Sequence, residues 1–228
     1  MLGWTEFFII VILIVVVFHF RKSFGMESLS SEEEREIGAS IVKKLSIQKE
    51  RDKRIRTIFN NLRENADLKF PHYRLYRLDS SDINAMAIMG GHIITTDGFA
   101  SLQDVSDDEI VGVLAHEIAH VELGHSRDAY YRENRTKVLK AALAILGRGV
   151  GTVGGVVEHL SKLGVNRESE LAADRLAIKL LSRSSYSAKG MLEFLQRAKQ
   201  LEELPEWMSF LSTHPAVDER IRRLKEMF

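Results

Sequence analysis

Five residues, His116-Glu117-Ile118-Ala119-His120, read H-E-x-x-H inside an apolar-periodic stretch, and they constrain the fold more than any other part of the chain. On an α-helix, residues four apart lie about 40° apart in azimuth and roughly 6 Å apart along the axis, so both imidazoles can point at one metal ion. The preceding Ser106-Asp107-Asp108-Glu109 has the spacing of a capping box, which predicts that a helix opens there and carries the motif. Ile110, Val113, Leu114, Ile118, Val121 and Leu123 give that helix an apolar face, so burial is expected and its polar residues need a reason to be there. Metal ligation is such a reason; the alternative is a pair of ordinary helix histidines satisfied by their neighbours. Glu117 would stand beside the ion, where a carboxylate can take a proton from water acidified by the metal and pass it to a leaving amine. The pattern is that of a hydrolase.

Composition narrows the rest. With 228 residues, 45% hydrophobic and 28% charged, the chain can bury one substantial core. Lys+Arg and Asp+Glu are equal at 32 each, so no global field attracts nucleic acid, and a nucleic-acid partner is not expected. The absence of cysteine excludes disulfides and thiolate sites, so any zinc must be held by His and carboxylate.

The amino terminus differs in kind. Trp4 to Phe20 is almost entirely apolar, and as a helix it would extend roughly 25 Å, at the short end for a bilayer span. Trp4, Arg21 and Lys22 could anchor its two ends. A cleaved signal peptide is the rival, weakened by the lack of Lys or Arg before the apolar run. The expected division is therefore residues 1–24 as a transmembrane anchor and 25–228 as the functional domain. The positive flank after the span favours a single-pass membrane protein with that domain on the cytoplasmic face.

After a short linker, Ile37, Ile41 and Leu45, then Ile55, Ile58, Phe59 and Leu62, repeat at helical spacing, which predicts two helices or one interrupted helix. His72 to Leu78, Asn84 to Met89 and His92 to Thr96 read as three strands, the last two joined through Gly90-Gly91, with a short helix around Phe99 to Gln103. They are expected to form a small antiparallel sheet beside the H-E-x-x-H helix. Val138 to Val165 is apolar but broken by Arg148 and by the five glycines from Gly147 to Gly155, which favours a helix-loop-helix over a second span. Helices are predicted over Arg167 to Arg183, Ala188 to Leu201 and Pro215 to Met227, the last with proline at its first position. The fold class is α+β and mostly helical.

Two histidines leave a tetrahedral zinc in need of a third protein ligand, with a fourth position for water. His125 is the nearest candidate, but nine positions from His116 it falls about 180° round the same helix and cannot join unless the helix ends first. Leu123 also stands where the H-x-x-G-x-x-H continuation requires glycine, so His125 reads as a helix-end or surface histidine. Glu168-Ser169-Glu170-Leu171-Ala172-Ala173-Asp174 offers a better candidate. There Glu170 and Asp174 share a helix face, while Glu168 lies about 200° from Glu170. If Asp174 orients a ligand imidazole, Glu170 is the residue beside the metal. An ordinary solvated glutamate between Arg167 and Arg175 is the alternative.

Together, H-E-I-A-H, the later E-L-A-A-D, the preceding N-A-M-A-I-M-G-G-H-I-I-T-T-D-G-F and the closing T-H-P-A-V-D-E-R-I resemble the HtpX-like and CAAX-prenyl-protease group of zinc metalloendopeptidases, peptidase family M48. The resemblance spans roughly Ser30 to the end. It implies a gluzincin-like metallopeptidase domain with one Zn2+ held by His116, His120 and Glu170, Glu117 as catalytic base and Asp174 in support. It further implies that the strand carrying Asn84, Ala85, Met86 and Ala87 borders the cleft, where an extended peptide could pair. His214, in T-H-P, would lie near the active site, stabilising an oxyanion or occupying the open zinc position at rest. Arg220 is carried over with less force, since a helix-surface arginine needs no special explanation. Met89 stands where many relatives have proline, and the single convincing span departs from multi-span members. The implied activity is a membrane-anchored endopeptidase acting on protein or peptide substrates, with membrane-protein quality control as its expected setting. The rivals are a metal-binding chaperone or scaffold using the same cleft, and a structural adaptor that holds no zinc.

Overall fold

The computed structural model describes residues 29–44, 47–70, 72–132 and 166–228. From Ser31 onward the described residues form one compact unit. Its elements in chain order are α1 (Ser31–Lys44), β1 (Gln48–Lys49), α2 (Lys53–Asn65), β2 (Arg74–Leu78), β3 (Ala85–Ile88), β4 (His92–Thr96), α3 (Asp97–Ala100), α4 (Asp107–Glu122), α5 (His125–Arg132), α6 (Arg167–Leu181), α7 (Gly190–Gln200), α8 (Pro205–Thr213) and α9 (Val217–Lys225). Among these, no helix is long and apolar enough to cross a membrane. The apolar segments Trp4 to Phe20 and Val138 to Val165 lie outside the described residues.

Helix α4 is the axis of the domain. Every residue from Glu109 to Val121 is buried, because α4 is covered by α2, α6 and α7 and by strand β3. Its start is fixed by the expected box: the Ser106 side chain accepts from Glu109 N–H at 3.1 Å and the Glu109 carboxylate accepts from Ser106 N–H at 2.9 Å. Glu109 also pairs with Arg197 of α7 at 2.7 Å, so one side chain caps α4 and ties it to its neighbour. The α4–α7 approach is close enough that Gly112 faces the backbone of Met191, and Gly190 faces that of Asp108, with no room for a Cβ at either. Glycine at these two crossing points lets the helices approach backbone to backbone.

The sheet has strand order β1-β2-β4-β3. The expected all-antiparallel sheet is corrected here: β1–β2 and β3–β4 are antiparallel, but β2 and β4 run parallel, Arg74 to Leu78 lying beside His92 to Thr96. The β3–β4 hairpin inserts its second strand, not its first, next to β2. This follows from burial: all five β4 residues are buried, so β4 takes the central place and leaves β3 at the edge beside α4. The hairpin turns through Gly90 and Gly91, both at φ 80°.

Two further differences lie near the carboxyl end. Helix α8 is additional to the sequence expectation; it opens with Pro205 in its first turn and buries Trp207, Phe210 and Thr213. The last helix begins at Val217, not at Pro215, because Ala216 adopts the left-handed conformation at φ 62° and interrupts the run. Phe194 of α7 packs against Phe99, Trp207 and Phe210 at centroid distances of 6.0, 5.5 and 5.0 Å. The aromatic cluster thereby props α8 against the core and delivers His214, at its end, to the interior.

Candidate metal and catalytic site

Three helices converge on the middle of α4. His116 and His120 are buried on consecutive turns, with their Nε2 atoms 3.1 Å apart. Helix α6 starts at the Asn166 N-cap, where a reciprocal Asn166–Ser169 box sets its phase. One residue later Glu170, fully buried, brings its carboxylate oxygens to 3.0 Å from His120 Nε2 and 3.4 Å from His116 Nε2. Asp174, one turn on, receives the other side of the first imidazole: His116 Nδ1 lies 2.9 Å from Asp174 Oδ1. The helical-face argument that separated Glu170 and Asp174 from Glu168 thus matches their placement.

The donor set fits a zinc ion on its own dimensions. Bond lengths of about 2.0–2.1 Å in a tetrahedron set ligand atoms roughly 3.3 Å apart, which is the scale of the 3.0, 3.1 and 3.4 Å separations here. Ligand atoms of His116, His120, Glu170 and His214 all lie within 4.8 Å of one another. Both Glu170 oxygens, Glu117 Oε1 and His214 Nδ1 are buried without an aligned hydrogen bond, although charged neighbours stand within ion-pair distance. Buried acceptors in that condition are costly unless something cationic faces them.

Arg220, carried over from the resemblance against the plainer reading of a helix-surface arginine, is the largest fully buried side chain among the described residues, so the surface alternative falls. Its Nε and Nη2 donate to Asp174 Oδ2 and Oδ1 at 2.8 and 2.7 Å, and its Nη1 lies 2.5 Å from Glu170 Oε2. Ala216 accounts for its direction: the left-handed turn redirects the chain after Pro215, and Arg220 then falls on the inward face of α9. A bidentate guanidinium holds both carboxylates at fixed separation.

The electrostatics follow from these contacts. Burial opposes ionisation of Glu170 and Asp174, but Arg220 and His116 outweigh it and hold both carboxyls below their ordinary range. Burial and Arg220 disfavour charge on His116, yet the carboxylates of Glu170 and Asp174 prevail and raise it to about 9. His120, where burial dominates, is pushed down to about 3. Glu117 is raised by burial. Once His116 gives up its extra proton, as a metal ligand must, ionised Glu117, Glu170 and Asp174 set three negative charges against the one positive charge of Arg220. A divalent ion balances that difference.

His214 enters from the α8–α9 connection, not from a helix start. Its Nε2 lies 3.5 Å from Glu117 Oε1 and 3.3 Å from the Ala85 carbonyl, and its ring lies over Phe210 at 4.7 Å. On the edge strand, Thr96 N–H donates to the Asn84 carbonyl, so Asn84 and Met86 turn their backbone groups toward β4 while Ala85 and Ala87 turn theirs outward. The Asn84 side chain is buried between Ser209 and Thr213. The Ala87 carbonyl accepts from Ser126 Oγ at 3.2 Å.

His125 is the remaining correction. It is neither surface nor remote, because α4 ends at Glu122, Gly124 turns at φ 72° and α5 begins at His125, whose Nδ1 lies 2.8 Å from His120 Nδ1. The Gly124 signal for a left-handed helix end was present in the chain and marks the break.

Comparison with known proteins gives the same answer over most of the chain. The model of Peptidase family M48 matches residues 49–228. Metalloprotease LoiP of Escherichia coli (strain K12) is 29% identical over 179 residues, covering 76% of this chain and 69% of its own. A beta-barrel assembly-enhancing protease of Yersinia pestis is 29% identical over 184 residues, 73% of this chain but only 37% of that longer protein. Mitochondrial metalloendopeptidase OMA1 of Schizosaccharomyces pombe is 24% identical over 166 residues, 71% of this chain and 47% of its own. The matched span contains the H-E-x-x-H helix, the carboxylate helix behind it and the arginine that clamps them, and the chain accordingly belongs to peptidase family M48, the zinc metalloendopeptidases.

Proposed function

We propose that His116, His120 and Glu170 hold the zinc of this metalloendopeptidase, that Glu117 is its catalytic base, and that the enzyme hydrolyses membrane-associated protein substrates from an amino-terminal anchor. The observation that carries the site is the buried Glu117 Oε1, which has no hydrogen-bond partner and lies 3.5 Å from His214, a member of the four-residue donor cluster with His116, His120 and Glu170. Zinc, when bound, supplies Lewis-acid polarisation of a carbonyl and acidifies water. Glu117 takes one proton of the attacking water and returns it to the departing amine, so that peptide and water give a carboxylate and an amine. Burial raises the proton affinity of Glu117, which suits a group that must accept and then release a proton. Asp174 accepts from His116 Nδ1, fixing the tautomer that offers Nε2, and Arg220 keeps Asp174 and Glu170 in place. His214 stands where it can donate to an oxyanion or shield Glu117 at rest.

An extended substrate would add to β3 through the outward groups of Ala85 and Ala87. The anchor rests on the apolar run that opens at Trp4 and ends at Phe20, followed by Arg21 and Lys22, and the substrate class on the beta-barrel assembly that the Yersinia pestis relative's name states. The site is tested with casein and the full chain: Glu117→Gln at matched zinc content is expected to lose at least about 100-fold in kcat, and equal turnover would refute the assignment. Zinc binding without cleavage by either form would favour the holding function. Carbonate-resistant membrane association that disappears on removal of residues 1–24 tests the anchor.

A further inference from the structure

The imidazole of His120 has a partner whose role the proposed chemistry leaves unassigned. Had α4 continued, His125 would stand about 140° round the helix from His120 and out of reach. The Leu123–Gly124 turn brings the two rings to a centroid distance of 4.9 Å with 68° between their planes, and their Nδ1 atoms to 2.8 Å. A hydrogen bond between two imidazole nitrogens requires a proton on one and a lone pair on the other. His120 Nε2 faces His116 Nε2 and Glu170, so its lone pair belongs on that side and its proton on Nδ1.

We infer that His125 is a positioning residue: its Nδ1 accepts the Nδ1–H of His120 and fixes the tautomer and ring angle that present Nε2 to zinc. The inference rests on the zinc-site reading above. It makes the two imidazoles of H-E-x-x-H differently supported, His116 by the carboxylate of Asp174 at 2.9 Å and His120 by an imidazole at 2.8 Å. The difference has an electrostatic reason. Glu117, Glu170 and Asp174 against Arg220 already leave a deficit that one divalent ion balances, and a carboxylate at position 125 would add a negative charge with no cation to meet it. A neutral acceptor orients the ligand without that excess. The backbone feature that permits the contact is the turn at Gly124, after which α5 begins at His125.

The test is the zinc affinity of the purified full chain, measured by competition with a chromophoric chelator. His125→Leu is expected to bind zinc about 10- to 100-fold more weakly. His125→Asn, whose Oδ1 can replace the accepting Nδ1, is expected to recover most of that loss. A Leu variant within tenfold of wild type, or an Asn variant no tighter than the Leu variant, overturns the inference. Nitrogen-15 histidine NMR of zinc-loaded wild type needs no variant to fold: a proton on His120 Nδ1 is expected, and one on Nε2 overturns the inference equally. Failure of the wild-type chain to bind zinc would refute the site itself, whereas tight binding by wild type and Leu alike would refute only the role of His125.

Discussion

Replacing Arg220 by methionine separates the arginine's electrostatic part from its packing, because methionine keeps an unbranched apolar stem of similar reach. What disappears is a guanidinium with no exposed surface that bonds Asp174 at 2.7 and 2.8 Å and lies 2.5 Å from Glu170. Removing one partner of a buried pair and leaving the other uncompensated costs about 3–5 kcal/mol. Two carboxylates are stranded here, which argues for the upper part of that range, although either can take up a proton once Arg220 no longer holds it ionised. In a domain of this size each kcal/mol moves the melting temperature by about 2–4 °C, so the chelator-treated variant should melt roughly 10–20 °C below wild type. Lysine at 220 restores the charge but cannot span both carboxylates, and should recover less than half of the loss. Circular dichroism melts with urea titrations on metal-free protein measure both. An Arg220→Met variant melting within about 2 °C of wild type would refute the clamp.

Ser126→Ala frees the Ala87 carbonyl that an incoming strand must otherwise win from a hydroxyl at 3.2 Å. One neutral hydrogen bond is worth about 0.5–1.5 kcal/mol, so KM for an extended peptide should fall roughly two- to tenfold with kcat unchanged; an unchanged KM would count against pairing at that residue. His92, buried between Tyr76 and the Arg35 carbonyl, is held below its ordinary pKa by burial. The unfolded chain then binds more protons below about pH 6.5, and stability falls as pH drops through that value. His92→Gln should lessen the loss of melting temperature between pH 7.5 and 5.5, and identical losses in the two proteins would exclude His92 as a source.

What the amino acids disclose about this molecule depends on how local the deciding interaction is. The α4 box, the burial of its apolar face and the shared face of Glu170 and Asp174 are set within a few residues, and each is visible from spacing alone. The parallel pairing of β2 with β4 is not, because period-two patterning says which face is buried and nothing about which neighbour a strand takes. Helix α8 had its signals in Pro205 and in Trp207 and Phe210 three apart, but its burial depends on Phe194 from another helix.

The reading of His125 and the surface alternative for Arg220 fail for one cause. Azimuth arithmetic for His125 assumed that α4 continues, and a surface reading of Arg220 assumed that α9 runs outward from Pro215; in both places one residue in the left-handed conformation, Gly124 or Ala216, resets the direction of the chain. Helical phase is conserved only inside a helix. A residue beyond a left-handed break must be placed by what its side chain needs, and here both needs were readable in kind. A zinc-binding imidazole needs an acceptor for its second nitrogen, and paired buried carboxylates need a cation. On the zinc-site reading His120 needs such an acceptor, and the next histidine along the chain stands 2.8 Å from its Nδ1.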